Sequence, residues 1–248
     1  MRYLSTAFLW GSVLVTLPAG YVLALGLLAV TAPFDRRRVL LHRFVCGWCH
    51  LYLRFWPGWR VRVEGRHNLP PGPCVMVANH QSMADILALM GLRADFKFVS
   101  KASLFQVPLV GWMMRQLKYV ALERGKHGSH ADMLVTCGAL LEAGEKVLIF
   151  PEGTYASGPE RLPFKRGAFR LAQKAQVPLV PVVLEGTGAL VFEDGPWFSP
   201  SARVTVKVME PIAPPPPELD DEPWVREVEA RYEAWLQQPV RRSKSPHE

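Results

Sequence analysis

From Tyr3 to Phe34 the chain runs for 32 residues without a single Asp, Glu, Lys, Arg or His. As one straight helix such a stretch reaches about 48 Å, against a bilayer hydrocarbon core of roughly 30 Å. Pro18-Ala19-Gly20 stands near its middle, where a helix breaks or kinks. Two arrangements are compatible with this. One is a single tilted span from about Ala7 to Ala32. The other, which the sequence favours, is a hairpin of two arms of roughly 15 residues that dips into one leaflet and returns. The hairpin places Arg2 and Arg36-Arg37-Arg38 on one side, among anionic headgroups. Either way the arginine cluster keeps the downstream chain on the cytoplasmic side. A cleaved signal peptide fits poorly, because its apolar core spans roughly 7–15 residues and the small-residue site Val30-Thr31-Ala32 is followed by Pro33.

Charge placement agrees. The 248 residues carry 29 Lys and Arg against 22 Asp and Glu, a net +7. Residues 1–66 hold 9 basic and 2 acidic side chains, so the whole excess lies beside the most apolar segment and the remainder is balanced. A nucleic-acid binder would spread its basic stripe over the folded domain, so that class is set aside in favour of a membrane surface. With 49% apolar and 21% charged residues the chain can bury a core, which excludes wholesale disorder.

Cys46-Gly47-Trp48-Cys49-His50 matches the C-x-x-C-H spacing of c-type haem attachment. Its surroundings favour another reading. Val39, Leu40, Phe44, Val45, Trp48, Leu51 and Phe55 recur at helical spacing, so Arg37–Phe55 is expected to be an amphipathic helix at the membrane surface with the cysteines as small packing residues.

Further along the chain, strand-like and helix-like segments alternate. Strands are expected at Trp59–Glu64, Cys74–Ala78, Phe96–Ser100, Tyr119–Leu122, Val147–Phe150, Leu179–Leu184 and Val204–Met209. Helices are expected from near Met83, over Pro108–Leu117, over Asp132–Ala143 and over Gly167–Ala175. The alternation predicts an α/β fold, a mostly parallel central sheet flanked by helices. Three regions result: membrane-anchoring helices over 1–56, an α/β domain over 57–212, and over 213–248 a stiff Pro214–Pro217 linker, a last amphipathic helix bearing Trp224, Val228, Tyr232 and Trp235, and a basic tail at Arg241–Lys244.

Chemistry-bearing residues come after the ends of strands, where open α/β sheets hold their sites. In Asn79-His80-Gln81-Ser82-Met83-Ala84-Asp85, His80 and Asp85 would diverge by about 140° on one helix. They meet only if His80 lies in the turn and Asp85 opens the helix. Asp85 then fixes the imidazole tautomer and leaves the other ring nitrogen as a base. The bland alternative is a helix-capping His and a dipole-favoured Asp. Phe150-Pro151-Glu152-Gly153-Thr154 sets a carboxylate, a flexible backbone and a hydroxyl after another strand, with N–H groups able to receive an anion. Lys101, Arg124, Arg161, Lys165 and Arg166 are each ordinary surface charges alone and a phosphate clamp together. No nucleophile elbow is present, and His42, His50, His67, His80, His127, His130 and His247 form no metal-ligand pattern.

NHQSMAD, KASLFQVPLVGW with LERG, FPEGT and VPLVPV, occurring in that order over residues 55–210, closely resemble the four blocks of the glycerolipid acyltransferase family, particularly its bacterial 1-acyl-sn-glycerol-3-phosphate acyltransferases. The resemblance implies a catalytic His80 with Asp85 as orienting partner. It implies glycerol-phosphate binding by Lys101 and Arg124, acceptor contacts by Glu152, Gly153 and Thr154, and an acyl-donor or structural role for Pro181. It further implies phospholipid synthesis at the inner (cytoplasmic) membrane, with a lysolipid and an acyl thioester as substrates. Acyl-CoA or acyl-carrier protein serves as co-substrate, and no other cofactor is expected. One departure stands out: members commonly read Glu-Gly-Thr-Arg, and Tyr155 occupies the Arg position. Tyrosine cannot supply that charge, so it falls to Arg161, Lys165 or Arg166, or else the acceptor is a different lysolipid. A membrane lipid-binding scaffold without catalysis is the reading from another class.

Overall fold

The computed structural model describes residues 2–56, 58–126, 128–154, 162–190 and 197–237. Tyr155, Arg161, His127, His247 and the Arg241–Lys244 tail lie outside them. Seven strands, β1 (Trp59–Glu64), β2 (Val75–Ala78), β3 (Lys97–Lys101), β4 (Val120–Leu122), β5 (Val147–Ile149), β6 (Leu179–Glu185) and β7 (Ala202–Val208), form one sheet in the order β1-β7-β6-β2-β5-β3-β4. Every neighbouring pair is parallel except β6 and β7, which are antiparallel. The central strands β2 and β6 are buried on both faces, which is why they read as unbroken apolar runs.

One sheet face, with Met76 and Ala78 of β2, packs under α1 (Arg2–Thr31), α2 (Val39–Phe55), α3 (Asp85–Met90) and α4 (Val110–Gln116). The other, with Val75 and Val77, packs under α5 (Ser129–Glu142), α6 (Gly167–Ala175) and α7 (Glu222–Leu236). Pro181 interrupts the donors of β6, and α7 repairs the spot. The Tyr232 hydroxyl donates to the Val77 carbonyl and accepts from Val182 N–H at 3.0 Å, bridging β2 and β6. The proline-rich stretch is pinned along α6, where the Gln173 amide donates to Pro216 and Leu219 carbonyls at 2.8 and 2.9 Å.

The expected break at Pro18-Ala19-Gly20 does not occur: α1 is one helix of 30 residues running through Pro18. Gly20 serves close packing instead. A β-carbon there would stand 2.6 Å from the Trp48 indole, so the glycine is the notch into which α2 fits. A different hairpin, which the sequence reading did not anticipate, forms between α1 and α2. Gly20 meets Trp48, Thr16 shares a hydroxyl hydrogen bond with Tyr52, and Phe8 packs on Trp56 at 5.7 Å, an antiparallel pairing. Its turn is capped by Asp35, whose carboxylate accepts Val39 and Leu40 N–H at 2.8 and 2.9 Å.

Both ends of the hairpin are fastened to the α/β unit. At the turn, the Lys97 ammonium donates to the Arg37 carbonyl at 2.6 Å and that of Lys118 to the Arg36 carbonyl at 2.8 Å. These lysines precede or open β3 and β4, at the amino edge of the sheet. At the start of α1, Phe198 N–H donates to the Thr6 hydroxyl at 2.9 Å, and Tyr3 packs edge-on against Trp197 at 5.1 Å. α1 therefore lies along the domain from one sheet edge to the other. Thr6–Thr31 is long and apolar enough to cross a membrane, with hydropathy 2.3 and 11% of its 18-residue apolar window buried. The side chains it turns outward include Phe8, Leu14, Val15, Val22, Leu23 and Val30.

Where α2 meets the sheet, His42 is 1% exposed, its Nε2 2.9 Å from the Ala94 carbonyl and its Nδ1 2.8 Å from the Tyr119 hydroxyl. Burial, with the Lys97 ammonium nearby, lowers its pKa from 6.5 to about 4. Between those values the unfolded chain binds a proton that the folded chain refuses, so stability is complete above pH 6.5 and falls as pH drops towards 4. The loss reaches about 3 kcal/mol. Melting temperatures recorded from pH 7 to pH 4.5 should decline more steeply for the wild type than for His42→Gln, and equal slopes would remove His42 as the cause.

Candidate functional site

The carboxyl ends of β6, β2, β5, β3 and β4 share one edge of the sheet, the edge at which β1 and β7 begin. β2 delivers Asn79 and His80 there, β5 delivers Glu152 and Gly153, β3 ends in Lys101, and Arg124 comes after β4. At about 4.8 Å per strand these groups form a row roughly 14 Å long.

His80 sits in the loop after β2 and Asp85 begins α3, so the two meet as their spacing requires. His80 Nδ1 donates to Asp85 Oδ2 at 2.6 Å. The same oxygen accepts Gln81 N–H at 2.7 Å and Ser82 N–H at 3.0 Å, while Asp85 itself is wholly buried. Three donors converging on one oxygen hold the carboxylate in place, and a carboxylate acceptor puts the ring proton on Nδ1. Nε2 is thereby the basic nitrogen. The imidazole is stacked on Phe150, ring centroids 4.2 Å apart and planes inclined by 19°.

The motifs also contain supporting groups whose roles spacing alone does not reveal. Asn79 clamps the loop to β6: its amide donates to the Leu184 carbonyl at 2.9 Å and accepts Leu184 N–H at 2.7 Å. Ser82 Oγ donates to the Thr187 carbonyl at 3.0 Å, and the Thr187 hydroxyl donates to Gln81 Oε1 at 2.9 Å. Glu152, 2% exposed, accepts His80 N–H at 3.3 Å and ties the second motif to the first. Such double fastening leaves His80 little freedom to rotate.

The basic candidates separate. Lys101 and Arg124 are exposed along the edge, and Thr154 is exposed beside them. Gly153 has φ +78°, and a β-carbon there would fall 2.7 Å from the Lys165 ammonium, so this lysine lies directly over the turn that carries Glu152. Arg166 points elsewhere. Its guanidinium pairs with Asp220 and Asp221 at the start of α7, and Arg170 joins Asp221 at 3.2 Å. Arg166 thus fastens α7 to α6 and is not brought to His80. Pro181 is buried in β6 within the sheet. Among the described residues no cluster of His, Cys, Asp or Glu could hold a metal ion. Cys46 is fully buried within 3.5 Å of the Met90 sulfur, as a packing residue would be.

A feature with no signature in the sequence lies beneath α3. An apolar cavity of about 370 Å³ opens between the α1–α2 hairpin and helices α3 and α4, lined by Met83, Ile86 and Leu87 on one side and Ala24, Trp48 and Tyr52 on another. It reaches the same helix that begins with Asp85. The site accordingly joins an oriented base, a row of cations and an adjoining apolar chamber. That combination suits deprotonation of a hydroxyl on an amphiphile with an anionic head.

Comparison with known proteins points the same way. The family model described as Acyltransferase matches residues 60–185. A chloroplastic 1-acyl-sn-glycerol-3-phosphate acyltransferase of Brassica napus is 37% identical over 182 residues, covering 72% of this chain and 52% of the plant protein. The 1-acyl-sn-glycerol-3-phosphate acyltransferase of Chlamydomonas reinhardtii is 38% identical over 210 residues, covering 84% of this chain and 62% of its own. The chain thus spans about half to three fifths of the length of these relatives. The crystal structure of the 1-acyl-sn-glycerophosphate acyltransferase PlsC from Thermotoga maritima superposes with a TM-score of 0.76 at 27% identity, over 95% of this chain and 96% of that one.

Proposed function

The chain belongs to the Acyltransferase family, and from that premise we propose that it moves a fatty acyl group from a thioester to the sn-2 hydroxyl of 1-acyl-sn-glycerol-3-phosphate, giving phosphatidate. The observation that carries the reading is the His80–Asp85 pair, held by Glu152 and set at the start of α3, whose Ile86 and Leu87 line the apolar cavity. His80 Nε2 takes the hydroxyl proton as that oxygen attacks the thioester carbonyl. The tetrahedral intermediate collapses, the C–S bond breaks, and the imidazolium returns its proton to the departing thiolate. Asp85 stabilises the imidazolium meanwhile, and no acyl-enzyme forms. The donor is acyl-CoA or acyl-carrier protein, and an acyl chain occupies the cavity.

Lys101, Arg124 and Lys165 hold the acceptor phosphate. Lys165 takes the part that Tyr155 cannot fill, because its ammonium already lies over Gly153 while Arg166 is bound to Asp220 and Asp221. The acceptor reaches the site from a bilayer in which α1 lies in the plane, its outward apolar side chains buried. A helix fastened at both ends to the α/β unit cannot cross the membrane without it.

The test is acyl transfer by the purified protein across a panel of lysolipids. Lysophosphatidate should be the preferred acceptor, and Lys165→Ala should raise its KM about tenfold or more with a smaller change in kcat, as expected for loss of one charged hydrogen bond. Turnover confined to lysolipids without a phosphomonoester would overturn the acceptor assignment. An unchanged KM in the variant would remove Lys165 from it.

A further inference from the structure

On the sheet face opposite α1 and α2, two arginines stand side by side. β1 and β7 are parallel neighbours with Arg60 paired to Arg203, Arg62 to Thr205 and Glu64 to Lys207. Trp59, Val61 and Val63, with Ala202, Val204 and Val206, point into the core beneath the hairpin, so the alternate residues face away from it. Lower on that outer face the charges are matched: Glu64 lies 2.8 Å from Arg62 and 3.7 Å from Lys207. At the top they are not. Arg60 and Arg203 are both exposed and, among the described residues, neither forms an ion pair. Like charges directly across a ladder destabilise it unless an anion lies between them. Beside them is a surface hollow lined by Gly58, Ser201 and Ala202. Gly58 is needed there, since a β-carbon would fall 1.9 Å from the Pro200 carbonyl oxygen.

The hollow is at the same sheet edge as His80. Gly186, at the end of β6, has φ +82° and passes so close over Arg203 that a β-carbon would meet its carbonyl oxygen at 2.1 Å. The next residue, Thr187, holds Gln81 at 2.9 Å beside His80. Three strand spacings separate β2 from β1, about 14 Å. Because this face turns away from the hairpin that meets the bilayer, it opens to water.

We propose that Arg60 and Arg203 bind the phosphate of the phosphopantetheine arm that carries the acyl thioester, the end of the donor furthest from the reacting carbonyl. Thirteen covalent bonds separate the thioester sulfur from that phosphorus in phosphopantetheine. At the reach of an extended chain they cover roughly 15 Å, which matches the distance along the sheet edge. Arginine forks suit a phosphate held by two of them. The assignment rests on the acyl-transfer reading above. Acyl-CoA and acyl-carrier protein share this chemistry, and the experiment separates them.

Full-length wild type and Arg60→Ala/Arg203→Ala, both in detergent, are compared with three donors: acyl-CoA, acyl-carrier protein, and an acyl-N-acetylcysteamine whose arm stops short of the phosphate. The KM for a phosphate-bearing donor should rise about tenfold or more in the variant, with the lysolipid KM unmoved and no such rise for the truncated thioester. A rise with acyl-CoA alone names the nucleotide donor as the occupant, and a rise with acyl-carrier protein alone names the protein donor. An unchanged KM for both overturns the proposal, as does an equal rise for the truncated thioester. Calorimetric titration with CoA and with 4′-phosphopantetheine decides the arginine pair independently of turnover. If wild type and variant bind both ligands equally, the pair is no phosphate site, even where acyl transfer succeeds. If wild type binds them more tightly but transfers no acyl group, the site stands and the acyl-transfer reading falls.

Discussion

Alanine at position 80 should cut acyl transfer by about 10²–10⁴-fold, the range that a positioned general base supplies. Among the described residues the ring is the group at the sheet edge that combines a fixed tautomer with a basic nitrogen: Asp85 holds Nδ1 at 2.6 Å, and Phe150 supports the ring face. Its removal leaves Asp85 with the N–H groups of Gln81 and Ser82, so the loop keeps its anchor and the fold should survive. Release of free thiol from an acyl thioester, with lysophosphatidate as acceptor, reads the rate, and a thermal melt reads the fold. The remaining rate reports how much catalysis comes from holding two substrates together. A variant that kept a tenth or more of wild-type turnover while folded would end the claim that His80 is the base. It would also revive the reading of the chain as a lipid-binding scaffold.

The second large effect concerns the membrane. Leu14 and Val22 on the outer face of α1 are 72% and 67% exposed, so glutamate at both positions should disturb little packing inside the protein. In a bilayer the same side chains are buried. Each contributes about 1.5–3 kcal/mol when removed from water, and the carboxylates add a further cost. A combined loss of about 4 kcal/mol or more lowers partition into vesicles by about 10³-fold. Co-sedimentation with vesicles containing anionic lipid measures this directly. The double variant should remain in the supernatant while the wild type pellets, and turnover of a bilayer-held lysolipid should fall in parallel. Equal pelleting would show that α1 does not provide the membrane contact.

The same helix shows where local reading succeeds and where it stops. Its length and apolar character are explicit in the sequence, yet Pro18-Ala19-Gly20 reads as a break that the chain does not make. Gly20 is explained by Trp48 of α2, which the tertiary fold brings against it. Arg166 and Lys165 are adjacent and look equally able to meet a phosphate. Asp220 and Asp221, more than fifty residues downstream, claim the first, and the turn at Gly153 receives the second.

By itself the sequence determined what depends on neighbours along the chain. Period and turn chemistry placed β1 at Trp59–Glu64 and α6 at Gly167–Ala175, and the five-residue spacing of His80 and Asp85 required one to lie in a loop and the other at a helix start. The tertiary structure alone decided what depends on pairings between distant segments. The antiparallel joining of β6 to β7, the bridge from Tyr232 into the sheet, the apolar chamber beneath α3 and the meeting of Arg60 with Arg203 all belong to this class. The physical reason is range. Backbone preference and hydrophobic period act over a few residues, whereas a cavity or a cross-strand pair exists only after packing has chosen which faces to bury.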